Sequence, residues 1–229
     1  MKRIVPIFFI LLLFSLPVFA QPEAVDLGLS VKWASCNVGA SSPSETGDYF
    51  AWGETKPKDN YSWSTYRWCH GTANTLTMYC NDPKYAAELL DEYGGYSPYT
   101  DYITELVPKT DAAYINWGEQ WRMPTVQEWS ELRKHCTWQW TTVNGNSGFK
   151  VKSKINGNSI FLPATGYKTD TDLLERDKGG YWSSSLWPGR PTHAWYLYFD
   201  ILPNSQDAEI RFRELFRRTG LPVRPVLTK

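Results

Sequence analysis

The sequence is poor in the residue types that build most metal and catalytic sites. It has three histidines, three methionines and four cysteines in 229 residues, and no cysteine follows Cys136. No CxxC or HxxxH spacing occurs, and His70, His135 and His193 lie far apart in the chain. A phosphate-binding glycine loop, a G-x-S-x-G nucleophile and an H-E-x-x-H helix are also missing. The sequence therefore predicts no cofactor, no metal ligand and no catalytic residue.

The chain also lacks an excess of charge of one sign. Its 24 lysines and arginines match its 24 aspartates and glutamates. Nucleic-acid binding depends on a basic surface that attracts phosphates, and a nearly neutral chain provides none. We therefore expect no nucleic-acid partner.

Long apolar runs are missing after the first twenty residues, so no transmembrane segment is expected beyond them. At the start, two basic residues precede an apolar run over 4–19, and Val18 and Ala20 are the small residues that signal peptidases accept. This pattern predicts a signal peptide at 1–20, cleaved after Ala20. The alternative, a membrane anchor, is disfavoured by Pro6 and Pro17 and by the shortness of the run.

Cleavage leaves residues 21–229 as a single expected domain that is secreted, periplasmic or at the cell surface. Residue 21 is Gln21, so the lipoprotein route has no acceptor thiol. An even number of cysteines in an exported chain favours disulfides, and four cysteines allow three pairings. We expect Cys69 with Cys80, which are close in sequence, and therefore Cys36 with Cys136.

Aromatic residues are abundant, at 16% of the chain with 12 Trp and 14 Tyr. Trp and Tyr combine a large apolar body with a polar tip. They suit a loop-rich fold that has few long helices, and they also suit surfaces that stack on sugar rings. Core and loop packing should account for most of them.

The clearest helix pattern begins at Thr125. Thr125 and Glu128 form a capping box, and Trp129, Leu132 and Cys136 recur at helical spacing, so a helix is expected over 126–135. Alternating apolar residues and Gly or Asn turns predict strands elsewhere: paired strands within 25–38, a hairpin after the helix, and strands near 159–164, 193–201, 207–218 and 221–227. Residues 53–110 should be long ordered loops, and residues 168–180 an exposed loop.

Seven stretches resemble the Fibrobacter succinogenes major paralogous domain. They are VDLGLSVKWASCNVGA, DYFAWGET, WRMPTVQEW, IFLPATGY, GYWSSS, AWYLYFD and GLPVRPV, and they span 25–226. That family is similar to the formylglycine-generating enzyme and sulfatase-modifying-factor group. The segment Arg122–Trp129 resembles that group's R-L-P-T-x-x-E-W motif, and 218–224 resembles its C-terminal strand. The resemblance implies a loop-rich α+β fold of the C-type-lectin-like kind, with paired N- and C-terminal strands.

The same resemblance bears on catalysis. Formylglycine-generating enzymes bind copper with two cysteines in the C-terminal part of the domain, because soft thiolates are the preferred ligands of Cu(I). The corresponding region here, about 180–215, holds Ser183, Ser184 and Ser185 but no cysteine. We therefore expect no oxidase activity, and we expect that the protein is not an enzyme.

The function expected is that of a non-catalytic binding module whose ligand, a glycan or a surface protein, is recognised by the C-terminal loops. Two alternatives remain: an enzyme of the sulfatase-modifying-factor type with altered chemistry, and a structural subunit of a surface assembly such as a fimbrial tip. Whether the acidic segment 169–177 binds calcium is left open. Aromatic and basic side chains are typical anchors of binding sites. The candidate ligand-binding residues are Trp182, Trp187, Arg190, His193, Trp195 and Tyr198.

Overall fold

The computed structural model describes residues 23–90, 94–201 and 208–229, so the expected signal peptide lies outside the described residues. Within these ranges the chain is α+β, as expected, and it is rich in strands. Among the described residues, none of the helices is both long and apolar enough to cross a bilayer. The described ranges contain two α-helices, α1 (Ala112–Trp117) and α2 (Val126–His135), and 3-10 turns at Trp63–Thr65, Pro83–Tyr85 and Pro108–Thr110.

The strands of the first half of the chain are all short, and the longest strands lie in the second half. The first half contains β1 (Ala24–Val25), β2 (Val31–Ala34), β3 (Glu88–Leu90), β4 (Tyr96–Pro98) and β5 (Trp121–Arg122). The second half contains β6 (Cys136–Val143), β7 (Asn146–Ser153), β8 (Ser159–Pro163), β9 (Tyr167–Thr169), β10 (Asp172–Leu174), β11 (Gly179–Leu186), β12 (His193–Ile201), β13 (Ala208–Phe216) and β14 (Val226–Thr228).

The two ends of the described chain meet in one sheet, whose order is β1-β2-β14-β5. β14 is antiparallel to β2, with Val226 opposite Trp33, and antiparallel to β5, with Val226 opposite Arg122. The expected pairing of N- and C-terminal strands is therefore present. Two three-stranded antiparallel sheets with longer strands follow, β6-β7-β8 and β11-β12-β13, and β3-β4 and β9-β10 are small hairpins.

Helix α2 has the bounds and the cap that the sequence predicts. Thr125 Oγ1 accepts a hydrogen bond from the Glu128 backbone N–H at 3.2 Å, and the Glu128 carboxylate accepts one from the Thr125 N–H at 2.8 Å. Arg122 donates to the same carboxylate at 2.8 Å. Trp129 and Leu132 are fully buried on the inner face. The helix is thus held at its N-terminus by polar bonds and along its length by apolar packing.

Two elements differ from the expectation. Helix α1 begins just after the loops expected over 53–110, in a segment for which no element was predicted; its N-cap is Asp111, which is buried and accepts from the N–H groups of Ala113 and Met123, each at 2.8 Å. Burial raises the pKa of this carboxyl group. The segment 168–180 contains the β9–β10 hairpin rather than an irregular loop, with Asp170 in the turn at φ 49°. Short polar strands of this kind lack a strong apolar alternation.

The aromatic side chains hold the loops through their polar tips. Trp52 Nε1 donates to the Ser183 carbonyl and Trp182 Nε1 to the Phe50 carbonyl, both at 2.8 Å. Further bonds of this type run from Tyr66 OH to Trp52 O, from Trp68 Nε1 to Gly53 O, and from Tyr61 OH to Tyr49 O. Loop carbonyls without a strand partner need donors when they are buried, and the rings supply both the donor and the apolar packing.

Two fully buried arginines act in the same way. Arg217 donates to the carbonyls of Tyr79 (2.9 Å), Pro191 (2.8 Å) and Met78 (2.9 Å), and its Nε bonds Tyr66 OH. Its guanidinium also lies 5.1 Å from the centre of the Trp52 ring. The side chain therefore joins three separate loops at one point.

Arg224 makes the corresponding connection at the ends of the chain. It donates to Asn37 Oδ1 at 2.7 Å, to the Ala34 carbonyl at 3.0 Å and to the Phe161 carbonyl at 2.9 Å. Burial lowers the pKa of this guanidinium. The bonds link the C-terminal segment both to the end of β2 and to β8.

The four cysteines all lie in the described part of the chain, and the structure corrects the disulfide expectation. Each is a buried free thiol: Cys36, Cys69, Cys80 and Cys136. Cys69 Sγ donates to the Trp63 carbonyl and Cys80 Sγ to the Asp82 carbonyl, each at 3.2 Å, so each sulfur bonds its own loop instead of the other sulfur. Cys136 packs in the apolar core beside α2, where burial raises its pKa to about 11.

Arg224→Met tests the role of the buried guanidinium. Methionine keeps the apolar length of the side chain but leaves three buried acceptors without a donor, so the free energy of unfolding should fall by about 3 kcal/mol. Urea denaturation measures this. The matched control is Arg176→Met on an exposed turn, which should change stability by no more than about 0.5 kcal/mol. Equal effects of the two substitutions would refute the role given to Arg224.

Thiol titration with a chromogenic disulfide reagent tests the state of the cysteines. The native protein should react slowly because all four thiols are buried and their pKa values are raised. In denaturant without reductant, four thiols per chain should react. A lower number that rises after reduction would show that the disulfides form.

Candidate functional site

The six candidate ligand-binding residues separate into two groups. Trp187, Arg190, His193 and Trp195 come together at the hairpin that joins β11 to β12. Trp182 and Tyr198 do not join them, because both side chains are buried inside the domain. The structure therefore brings together four of the six predicted residues in the C-terminal loops and leaves Trp182 and Tyr198 apart from them.

The hairpin is a tight, hydrogen-bonded turn. The Trp187 N–H donates to the His193 carbonyl at 3.1 Å, and the His193 N–H donates to the Arg190 carbonyl at 3.0 Å. The Trp187 ring lies against Gly189, where an added Cβ would come within 2.8 Å of Trp187 Nε1. Glycine at this position therefore lets the indole fold over the turn. The ordered backbone holds the side chains of the turn in fixed positions.

Aromatic contacts extend the site beyond the turn. Trp187 and Trp195 pack edge to face with ring centres 4.2 Å apart, and His193 lies 4.3 Å from Phe216 on β13. Phe216 is 39% exposed, a large value for an apolar side chain, and its ring is 5.9 Å from Trp63. We define the hairpin patch as Trp63, Trp187, Arg190, His193, Trp195 and Phe216.

Trp63 and Phe216 are absent from the sequence prediction. Phe216 joins the patch because it is opposite His193 in the β12–β13 ladder, a long-range pairing. Trp63 belongs to a 3-10 turn that lies more than a hundred residues before the hairpin in the chain. The strand alternation in 207–218 could have pointed to Phe216, whereas no local signal points to Trp63.

The alternation of β12 explains which residues are exposed. Tyr196 and Tyr198 face one apolar cluster, and Leu197 and Phe199 face another on the opposite side of the sheet. His193 and Trp195 share a face with Leu197 but lie at the end of the strand, and they are half-buried. The patch is the outer edge of a packed face, so its rings are supported from below.

Trp182 is a structural residue and not a ligand-binding one. It has no exposed surface, its Nε1 donates to the Phe50 carbonyl, and its own carbonyl accepts from Trp129 Nε1 at 3.2 Å. Tyr198 is 6% exposed; its hydroxyl donates to Asp200 at 3.0 Å, and the Arg213 guanidinium covers its ring at 4.0 Å. Neither side chain is open to a ligand.

The electrostatics of the patch centre on His193. Its Nδ1 lies 2.9 Å from Thr192 Oγ1. Burial lowers the pKa of His193, the positive charge of Arg190 lowers it further, and Glu214 opposes the shift. The ring is therefore neutral at pH 7 and offers a hydrogen-bonding edge without a charge.

The cavities of the domain lie apart from the hairpin patch. One of about 580 Å³ lies between β1 and β8, and Ala24, Val25, Ile160 and Phe161 line it with polar neighbours. None of the candidate ligand-binding residues reaches it.

Across 23–90, 94–201 and 208–229, no three His, Cys, Asp or Glu side chains are grouped so as to hold a metal ion. In the acidic segment 169–177, Asp170 forms an ion pair with Arg218, with 3.9 Å between Asp170 Oδ1 and Arg218 Nη1.

Comparison of the chain with protein-family models, with curated proteins and with solved structures finds no match. A function must therefore be argued from the side chains and their arrangement. The hairpin patch is the place where the aromatic and basic residues of the C-terminal loops meet at the surface.

The lowered pKa of His193 predicts a pH dependence of stability. The unfolded chain takes up a proton near pH 6.5 while the folded chain resists it, so stability should fall as the pH drops below about 6.5. His193→Gln should remove part of this loss when urea denaturation is compared at pH 7.5 and pH 5.5. His70→Gln, on an exposed loop, is the control and should behave like wild type. If His193→Gln lost as much free energy of unfolding between pH 7.5 and pH 5.5 as the wild type, the burial of the ring would be contradicted.

Proposed function

We propose that the protein is a secreted, non-catalytic binding module that recognises a glycan or a surface protein through the hairpin patch. The observation that carries the proposal is the grouping of Trp187, Arg190, His193 and Trp195 on one ordered hairpin, with the exposed ring of Phe216 beside them. Exposed aromatic clusters bordered by polar groups are a common feature of interaction sites.

The composition of the patch favours a glycan over a protein ligand. Aromatic faces offer apolar contact to the C–H groups of a sugar ring, and Arg190, His193 and the adjacent Glu214 offer donors and acceptors to its hydroxyls. Glu214 is opposite Trp195 in the β12–β13 ladder, so its carboxylate belongs to the same surface. A protein ligand of standard size would need a larger apolar centre than these few rings provide.

The absence of catalysis belongs to the proposal as well. Formylglycine-generating enzymes have their copper-binding cysteines in the region where this chain has Ser183, Ser184 and Ser185. These serines are buried, and Ser183 Oγ donates to the Trp195 carbonyl at 2.9 Å. Ser185 Oγ lies 3.4 Å from a Glu105 carboxylate oxygen. Ser183 Oγ therefore supports the backbone of β11 and β12, and Ser185 Oγ accepts from the Val126 N–H at the start of α2. Membership of the Fibrobacter succinogenes major paralogous family, with its C-type-lectin-like fold, is proposed on the motifs and on the paired chain ends.

A structural subunit of a surface assembly is the second candidate. The cavity of about 580 Å³ favours it, because β1 and β8 are edge strands of separate sheets and line opposite sides of that space. Edge strands offer unpaired main-chain groups to a strand from another molecule. This candidate predicts self-association, which sedimentation velocity of residues 21–229 would detect. A monomer at all concentrations would count against it.

The glycan proposal is tested by applying purified residues 21–229 to a glycan array and a panel of surface proteins, with and without EDTA. Binding to a defined group of glycans that EDTA leaves unchanged is expected. Trp187→Ala should weaken the affinity at least tenfold, since a buried aromatic anchor contributes about 1.4 kcal/mol or more.

The matched control is Trp117→Ala. Trp117 is another half-buried tryptophan, packed edge to face on Trp121 with ring centres 5.4 Å apart, but it lies outside the hairpin patch. Its substitution should leave the array profile unchanged. The same loss of binding in both variants, or in neither, would overturn the assignment of the ligand to the patch.

A further inference from the structure

A second cavity, of about 280 Å³, lies apart from the hairpin patch. Three segments form it: the loop that carries Gly53 and Thr55, the loop that carries Arg67 and Trp68, and the 3-10 turn that carries Lys109. All five of these residues line it. Its volume is just below the range of about 300–1,000 Å³ that is typical of drug-sized ligands, so it suits a single small group.

No carboxylate pairs with the charged side chains of this cavity in the described parts of the chain. Neither the Arg67 guanidinium nor the Lys109 ammonium makes an ion pair or a side-chain hydrogen bond there, and the Arg67 guanidinium lies 5.1 Å from the centre of the Trp68 ring. Surface cations are commonly solvated singly, but two of them lining one cavity make its potential positive.

The Glu54 carboxylate beside this cavity does not cancel the charge. Glu54 is 8% exposed, and its carboxylate is bonded by Lys58 Nζ at 2.9 Å and by the Arg67 backbone N–H at 2.7 Å. Lys58 therefore balances Glu54. Arg67 and Lys109 are left as an excess of positive charge on the cavity wall.

The walls are fixed by bonds to the main chain. Trp68 Nε1 donates to the Gly53 carbonyl at 2.7 Å, and Asn116 Nδ2 donates to the Thr55 carbonyl at 3.0 Å. Gly53 has a φ of +78°, and an added Cβ would lie 3.2 Å from Trp68 Nε1. Glycine thus allows the indole to approach the backbone closely, and the cavity is ordered before any ligand arrives.

We propose that this cavity binds the anionic group of a small ligand, a sulfate, phosphate or carboxylate, between Arg67 and Lys109. Arg67 offers a planar fork of donors that matches two oxygens of such a group, and Lys109 adds a point charge from the 3-10 turn that lines the same cavity. Trp68 supports the guanidinium from below and gives an apolar surface to the body of the ligand. The site is separate from the hairpin patch and does not depend on the function proposed for it.

Calorimetric titration of residues 21–229 tests the proposal with five probes: inorganic sulfate, inorganic phosphate, glucose 6-sulfate, glucuronic acid and neutral glucose. The anions should bind and glucose should not, and raising the salt concentration should weaken binding because the charges are partly exposed. Tighter binding of the sugar-borne anions would identify a glycan source, and equal binding of the inorganic ions would identify a free anion. Binding of glucose as strong as that of its sulfate, or no binding of any anion, would overturn the proposal.

Variants locate the site. Arg67→Gln combined with Lys109→Gln should lower the anion affinity at least tenfold, and each single change should lower it less. Both side chains are exposed, so folding should be retained, which near-ultraviolet circular dichroism verifies. Arg176→Gln removes a cation from an exposed turn outside both sites and should leave anion binding unchanged. An unchanged affinity in the double variant, or an equal loss in Arg176→Gln, would refute the site.

Discussion

Hydrogen bonds from buried side-chain donors to loop carbonyls are the interaction on which the rest of this structure depends. Few residues of the segment 49–80 belong to a helix or strand, so its buried carbonyls have few ladder partners. Indole N–H groups, tyrosine hydroxyls and the buried Arg217 guanidinium take that place. Arg217 alone bonds three main-chain carbonyls from two separate loops. Long loops can be ordered in this way without a disulfide or a metal.

This interaction gives the abundance of tryptophan and tyrosine a physical reason. A leucine in place of Trp52 or Trp182 would fill much of the same space but would remove the indole N–H that donates to the carbonyl of Ser183 or of Phe50. Each ring therefore contributes packing and a specific connection between distant segments. The scaffold that results is rigid beneath the hairpin patch, where Trp187 and Trp195 keep some exposure. Rigid support lowers the cost of ordering a site when it binds its ligand.

Local signals in the sequence were sufficient for the elements that depend on local chemistry. The capping box at Thr125 and Glu128 specified the start of α2, and the strict alternation near 193–201 specified β12. Helix α1 was missed because it has a single turn and a half, and its Asp111 cap bonds Met123 as well, a contact between separate elements. The disulfides were expected from composition and export alone, which say nothing about where each sulfur points.

The candidate site was predictable where a loop signal accompanied an aromatic residue. Pro188 and Gly189 mark the turn beside Trp187, and that residue is at the surface. Trp182 and Tyr198 lie in strands, where alternation does not tell which face is covered, and both faces of this sheet are packed. Trp63 reaches the patch through tertiary packing and has no local signal. Arg67 and Lys109 were missed for the same reason, since their proximity depends on two loops far apart in sequence.

Amide hydrogen exchange, followed by mass spectrometry, tests the central claim most directly. If side-chain donors order the loops, peptides from 49–80 should exchange as slowly as those from the β6–β7 hairpin, because amides such as Trp52, Leu76 and Thr77 are bonded to main-chain carbonyls. Protection of 49–80 close to that of the hairpin is the predicted result. Exchange of this segment at the rate of an unstructured peptide, while the hairpin stays protected, would contradict the account.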